Sequence, residues 1–318
     1  MMTHTAKRTF VQSTLCMGTV VSVKVVTAHA EMEAKECMTR AFDAFHFVER
    51  VCSRFHEQSE LRRLSMHVAT PVRASDILFE AIRFAWAVAN LTGGVFDPTI
   101  GHTLETYGFN RHYLTGDRIE SNPWTTWMDN AENSVSYLDV ELNEENRTVL
   151  LRKPLLLDLG AVAKGLAVDI AAKELNDFEG FVIDAGGDLY VGGMNEQEEP
   201  WLIGIQHPYR KEESICSVRV TDMAVCTSGS YERKSPVKER THHLIDPRSG
   251  TSQPDIVSCT VIAPFAMMAD AFSTAAFILG HEQGVRQLEQ VDLDGLLITP
   301  NLDIYTTNQM KRYLYEHK

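Results

Sequence analysis

Between residues 181 and 263 the chain reads FVIDA (181–185), LYVGG (189–193), WLIGI (201–205), CSVRV (216–220), AVCTS (224–228) and VSCTVIA (257–263). These are short runs rich in β-branched and apolar residues, each of strand length and bounded by turn residues. No helical periodicity separates one run from the next, so they pair as antiparallel sheet. The class that follows is α+β, with mixed and antiparallel sheets and packed helices, and not a doubly wound parallel sheet.

Working outward, TLCMGTVVSVKVV (14–26) reads as one strand in which Gly18 marks a bulge or a close backbone approach. Ala41, Phe45, Val48, Cys52 and Phe55 recur three or four apart and place one apolar stripe on a helix over about 31–52. A second helix over about 75–91 carries Ile77, Leu78, Ala81, Phe84, Ala85 and Val88 and stops at Gly93-Gly94. Residues 110–134 lose periodicity around Trp124 and Trp127 and read as a surface excursion. VSYLDVEL (135–142) and TVLLRKPLLLDL (148–159) then flank Asn143-Glu144-Glu145-Asn146 as a hairpin, followed by a helix through Ala172 and Leu175. Beyond the strand-rich stretch come a helix at about 266–280 and a last helix–strand–strand unit. With no linker and no repeat, residues 1–318 read as a single composite domain.

Hydrophobic residues make up 44% and charged residues 23% of 318, which suits a soluble globular chain and excludes disordered and collagen-like classes. The formal charge of −13 repels a polyanionic backbone, so nucleic acid is not expected as a partner. A small anionic ligand is compatible with that charge, held by backbone amides and a divalent cation. Six cysteines stand singly without zinc-ligand spacing and read as reduced thiols. The polar start MMTHTAKR lacks an apolar signal core, and no run of about 18 apolar residues occurs. The expectation is a cytoplasmic protein with no membrane segment.

Three turns could carry chemistry: GGVFDPT (93–99), DLGAVAKG (158–165) and DAGGD (184–188). The second places Gly160 and Gly165 where a strand meets a helix start, a location whose free amides suit phosphate, yet it matches neither G-x-G-x-x-G nor the P-loop. In ADAFST (269–274), Asp270 and Thr274 are four apart, so a helix would stack a carboxylate and a hydroxyl, a partial oxygen set for a hard cation. THHLIDPRSG (241–250) offers two adjacent imidazoles, of which a strand would turn at most one toward a given site.

In order and spacing these segments resemble the FAD:protein FMN transferase family, the ApbE type. Met17-Gly18-Thr19, Ser53-Arg54-Phe55, Ser59-Glu60-Leu61, Phe96-Asp97-Pro98-Thr99, DLGAVAKG with Asp169, DAGGD, Thr227-Ser228-Gly229, HHLIDPRSG and ADAFSTA with Leu279-Gly280 carry the likeness over most of the chain. It implies an ApbE-like flavin transferase fold and an enzyme that moves FMN from FAD to a Thr or Ser hydroxyl of an acceptor flavoprotein, with Mg²⁺ (or Mn²⁺ in its place), releasing AMP. By position, the Ala161 carbonyl, Asp270 and Thr274 would hold the metal. Met17, Phe55, Val95, Phe96, Asp97, Asp158, Lys164 and Ile245 would line the FAD site, and His243 would be the general base. Three positions depart from the common pattern: Ser230 where many members have Asp, Ser249 for Thr, and Leu166 for an aromatic. Hydrolysis of FAD to FMN and AMP, or FAD binding without turnover, would use the same residues.

Overall fold

The computed structural model describes residues 7–111, 116, 118–119, 124–128, 130, 133–239 and 241–315. The strand-rich reading becomes an eight-stranded antiparallel sheet in the spatial order Arg8–Cys16, Thr19–Thr27, Gly180–Ala185, Asp188–Gly193, Met223–Gly229, Ser258–Ala263, Asp294–Ile298, Ile304–Thr306. Among the described residues, parallel pairing occurs only in two isolated bridges, Val68 with Leu151 and Ile100 with Leu156.

Residues 14–26 are not one bulged strand. They belong to two strands joined by the two-residue turn Met17-Gly18, whose φ values of 52° and 78° put both residues in the left-handed region. Two successive left-handed residues give the hairpin turn whose twist matches its strands, and Gly18 supplies one of them without steric cost.

One face of the sheet packs on helices Glu31–Cys52, Gly160–Lys173 and Ala266–Gln290, with Asp76–Leu91 behind them, around a core that includes Phe45, Leu78, Val168, Phe272 and Phe277. The other face packs on the small sheet Leu314–Tyr315, Arg210–Val220, Trp201–His207, around Trp201, Val218, Val225 and Leu296. Ser258–Ala263 and Asp294–Ile298 are buried at every residue because both of their faces are covered.

The Ser75 hydroxyl accepts the Leu78 N–H at the start of the second helix, which gives way at Thr92 to left-handed Gly93 and Gly94. Strand structure in the 135–159 region is shorter than the sequence suggests. Asp139 accepts the Ser136 N–H and winds Tyr137–Asp139 into a 3₁₀ turn, leaving Val140–Asn143 and Thr148–Leu151 as the ladder. The 266–290 helix breaks at Gly280 (φ 80°), so the final helix of the sequence reading begins there. About half of the 110–134 excursion lies outside the described residues; within it Thr125–Met128 forms one helical turn. All six cysteines are free, and no described helix is long and apolar enough to cross a membrane.

Candidate functional site

Gly165 sets the geometry of the site. A Cβ there would stand 2.5 Å from the Ala266 carbonyl and from the Met267 Cα, so only glycine lets helices 160–173 and 266–290 approach this closely. That approach puts the first turn of one helix beside Asp270 and Thr274 of the other. Ala161 departs from helical geometry (φ −92°, ψ 16°), and the Gly165 N–H on the next turn acts on the Asp270 carboxylate and favours its charged form.

Around this contact lies a cleft of about 830 Å³. Its walls include every residue singled out above: Met17, Phe55, Val95, Phe96, Asp97, Asp158, Ala161, Lys164, His243, Ile245, Asp270 and Thr274. The Met17-Gly18 turn, the DAGGD turn and the end of strand Met223–Gly229 form one side, and the segment after Asp76–Leu91 forms another.

The charges are paired in an uneven way. Lys164 Nζ is bonded to Asp188 and lies 3.4 Å from Asp270 Oδ2, and both carboxylates are almost wholly buried. Burial, then the Asp188 charge, push the Asp270 carboxyl above its ordinary range, and Lys164 and the Gly165 N–H offset only part of this. Burial alone would lower the Lys164 ammonium, but Asp188 and Asp270 overcome it and raise its pKa. Two buried carboxylates therefore share one ammonium, which leaves a local deficit of positive charge. Thr274 Oγ1 lies 3.1 Å from Ser228 Oγ, which also meets Ser273 Oγ at 2.8 Å. A carboxylate, a hydroxyl and a backbone carbonyl are all hard oxygen donors, so the residues fit a Mg²⁺-type cation.

Arg54, itself buried, ties the next part together. Its guanidinium pairs with Asp158, donates to the Phe109 carbonyl at 2.5 Å, and lies 4.0 Å from the Phe55 ring centroid. Asp158 also accepts the Gly160 N–H at 2.8 Å. Asp97 is committed to its own turn, accepting the Thr99 N–H (2.8 Å), the Thr99 hydroxyl (2.7 Å) and the Tyr137 N–H (2.9 Å). Burial raises its pKa against those bonds.

The two imidazoles part company. His242 is buried edge-on to Phe277, gives one ring nitrogen to the Gln253 carbonyl at 3.2 Å, and accepts the Leu244 N–H at the other at 3.3 Å. Both of its nitrogens are spent on the scaffold. His243 lines the cleft, and its Nδ1 meets the Arg233 carbonyl at 3.4 Å. A carbonyl can only accept, so the proton sits on Nδ1 and the lone pair on Nε2. Burial first, then the Arg233 guanidinium, push the His243 pKa down to about 3, far below the free value, so the ring is neutral near neutral pH.

Asp188, Arg54, Ser228 and Arg233 were not singled out as site residues in the sequence. Three of them sit in quoted motifs (DAGGD, Ser53-Arg54-Phe55 and Thr227-Ser228-Gly229), so the signal was present, but their partners are distant along the chain.

The sequence pattern of the ApbE family matches residues 17–297. The FAD:protein FMN transferase of Vibrio cholerae is 26% identical over 313 residues, covering 94% of this chain and 90% of that protein. The FAD:protein FMN transferase of Escherichia coli is 28% identical over 308 residues, covering 93% and 86%. The crystal structure of the ApbE protein from Thermotoga maritima superposes with a TM-score of 0.84 at 27% identity, covering 97% of this chain and 100% of its own.

Proposed function

The chain belongs to the ApbE family, and from that premise we propose that it is an FAD:protein FMN transferase. It splits the pyrophosphate of FAD, joins FMN by a phosphoester to a Thr or Ser hydroxyl of an acceptor flavoprotein, and releases AMP. The observation that carries this reading is that Ala161, Asp270 and Thr274 line one cleft of about 830 Å³ beside the Lys164–Asp188 pair. That volume is in the range of cofactor sites.

Asp270, Thr274 and the Ala161 carbonyl would hold Mg²⁺, or Mn²⁺ in its place, and the ion supplies charge neutralisation at the pyrophosphate. Met17, Phe55, Val95, Phe96 and Ile245 offer apolar contact to the flavin and adenine rings. Asp97 shapes the turn bearing Val95 and Phe96, Arg54 holds Asp158 and Phe55 in place, and Lys164 brings positive charge. His243 Nε2 accepts the proton of the acceptor hydroxyl as that oxygen bonds to the FMN phosphorus. The P–O bond to AMP breaks, and its electron pair leaves with AMP. The six unbridged thiols support a reducing, cytoplasmic setting, and residues 1–318 act as one composite domain.

The test is incubation with FAD, Mg²⁺ and candidate acceptor proteins, read by in-gel flavin fluorescence and AMP release. A fluorescent acceptor band with equimolar AMP is expected. AMP without any labelled protein would instead make it an FAD pyrophosphatase, and FAD bound without turnover would make it a binding protein.

A further inference from the structure

Cys16 closes the first strand and is fully buried, with Sγ 3.3 Å from His46 Nδ1 and 3.1 Å from Glu49 Oε2. His46 and Glu49 are three apart on the Glu31–Cys52 helix, so they share one face of it. Among the described residues this is the one place where three His, Cys, Asp or Glu donor atoms lie within 4.8 Å of one another.

We propose that Cys16, His46 and Glu49 form a binding site for a thiophilic divalent cation of the Zn²⁺ class, separate from the oxygen cage at Asp270. Tetrahedral Zn²⁺ with Zn–S of about 2.3 Å and Zn–N or Zn–O of about 2.0–2.2 Å holds the sulfur roughly 3.5–3.7 Å from its fellow ligand atoms. The observed 3.1 and 3.3 Å are shorter than that spacing by up to about half an ångström, so capture needs the His46 and Glu49 side chains to draw back slightly from the sulfur. A thiolate with an imidazole and a carboxylate suits Zn²⁺ or Co²⁺ and not Mg²⁺, which prefers oxygen throughout. Three protein ligands leave a fourth position for water, and Glu49, part of the cleft wall, gives the ion a way in.

The step balances without a redox partner. In the ion-free protein the Cys16 thiol keeps its proton and hydrogen-bonds it to Glu49; on binding, the S–H bond breaks, sulfur and the Glu49 carboxylate bond to the metal, and the thiol proton leaves to solvent. Glu49 Oε1 also accepts the Met17 N–H at 3.1 Å, so a bound ion fastens the hairpin turn that walls the cleft.

The test is titration of the purified protein with Co²⁺ in excess Mg²⁺, which removes oxygen-only sites from competition. One equivalent should bind with a thiolate-to-cobalt charge-transfer band and four-coordinate visible bands, and Zn²⁺ should erase both. Cys16→Ser should abolish the charge-transfer band, and His46→Gln should raise the Co²⁺ Kd at least about tenfold while keeping it. Circular dichroism melts establish that each variant is folded. No charge-transfer band in the wild type, or one that survives Cys16→Ser, overturns the proposal. Should Cys16→Ser not fold, unchanged Co²⁺ affinity in both His46→Gln and Glu49→Gln overturns it equally.

Discussion

Asp169 accepts the backbone N–H of Ala266 at 2.7 Å through one oxygen, and its other oxygen takes the N–H of Met267 at 2.9 Å. A carboxylate on one helix thus caps the start of another whose own N-cap residue, Phe265, offers no side-chain acceptor. The contact lies one helical turn from both Gly165 and Asp270, so it fixes how the two helices that carry them meet at the cleft.

The cap should show in the pH dependence of stability. Burial, offset in part by the two N–H bonds, pushes Asp169 up from 3.8 to about 6. Between about pH 4 and about pH 6 the folded state therefore holds this proton more tightly than the unfolded state, so the contribution of Asp169 is full below that window and is lost as pH rises through it. Urea unfolding of wild type and Asp169→Asn should give a stability difference that shifts against the wild type across the window and is flat above it. A difference independent of pH would refute the assignment.

Removing the carboxylate of the cage should silence metal-dependent turnover. Asp270→Ala leaves a hydroxyl and a carbonyl, too few protein oxygens to hold the ion. Isothermal titration with Mg²⁺ in the presence of FAD should lose its heat, and AMP release should fall to the metal-free rate. Full activity in this variant would rule out the cage.

His243 should behave as a neutral imidazole throughout the working range. With the pKa held down to about 3, ¹⁵N NMR should find Nδ1 protonated and Nε2 bare from about pH 5 to about pH 8. His243→Ala should keep FAD affinity while transfer to an acceptor Thr drops at least about a hundredfold. Arg233→Gln should raise the His243 pKa, because it removes the neighbouring positive charge. Loss of FAD binding and transfer together in His243→Ala would show that the ring only holds its loop.

Gly165→Ala should cost about 1–3 kcal/mol by overpacking, since its Cβ would meet backbone and not a yielding side chain. Parting the helices also separates Ala161 from Asp270. Thermal denaturation should show the lower Tm, and the Mg²⁺ requirement should rise with it. A variant as stable as wild type would mean that the helices can slide apart without loss.

What the sequence made legible were features with a local period. The helices over 31–52 and 76–91, the antiparallel class and the i, i+4 pair Asp270/Thr274 all follow from spacing within one element. The Met17-Gly18 hairpin is hidden in the sequence because the usual signal for such a turn is Asn-Gly or Asp-Gly, and Met at φ 52° carries no such mark. Likewise 135–139 looks like a strand because its residues are β-prone, and only the Asp139 cap turns it aside. Asp188 and Arg54 are not legible as site residues because what defines them is contact across 24 and 104 residues of chain, to Lys164 and Asp158. Separating His242 from His243 required knowing that Phe277 and Gln253 lie on one side and the cleft on the other.

Covering both faces of strands Ser258–Ala263 and Asp294–Ile298 has a kinetic corollary. Their amides can reach solvent only when the whole sheet opens, so deuterium should enter them last, at a rate tied to global unfolding. Among the described residues, the cleft rim at 231–239 and 241–250 pairs through the isolated bridge of Lys234 with His242 and the two-residue ladder of Ile245–Asp246 with Thr251–Ser252. Its amides should exchange far sooner. The floor beneath Asp270 therefore keeps its shape while the rim opens and closes many times, and a ligand can come and go on a clock that the stability of the protein does not set.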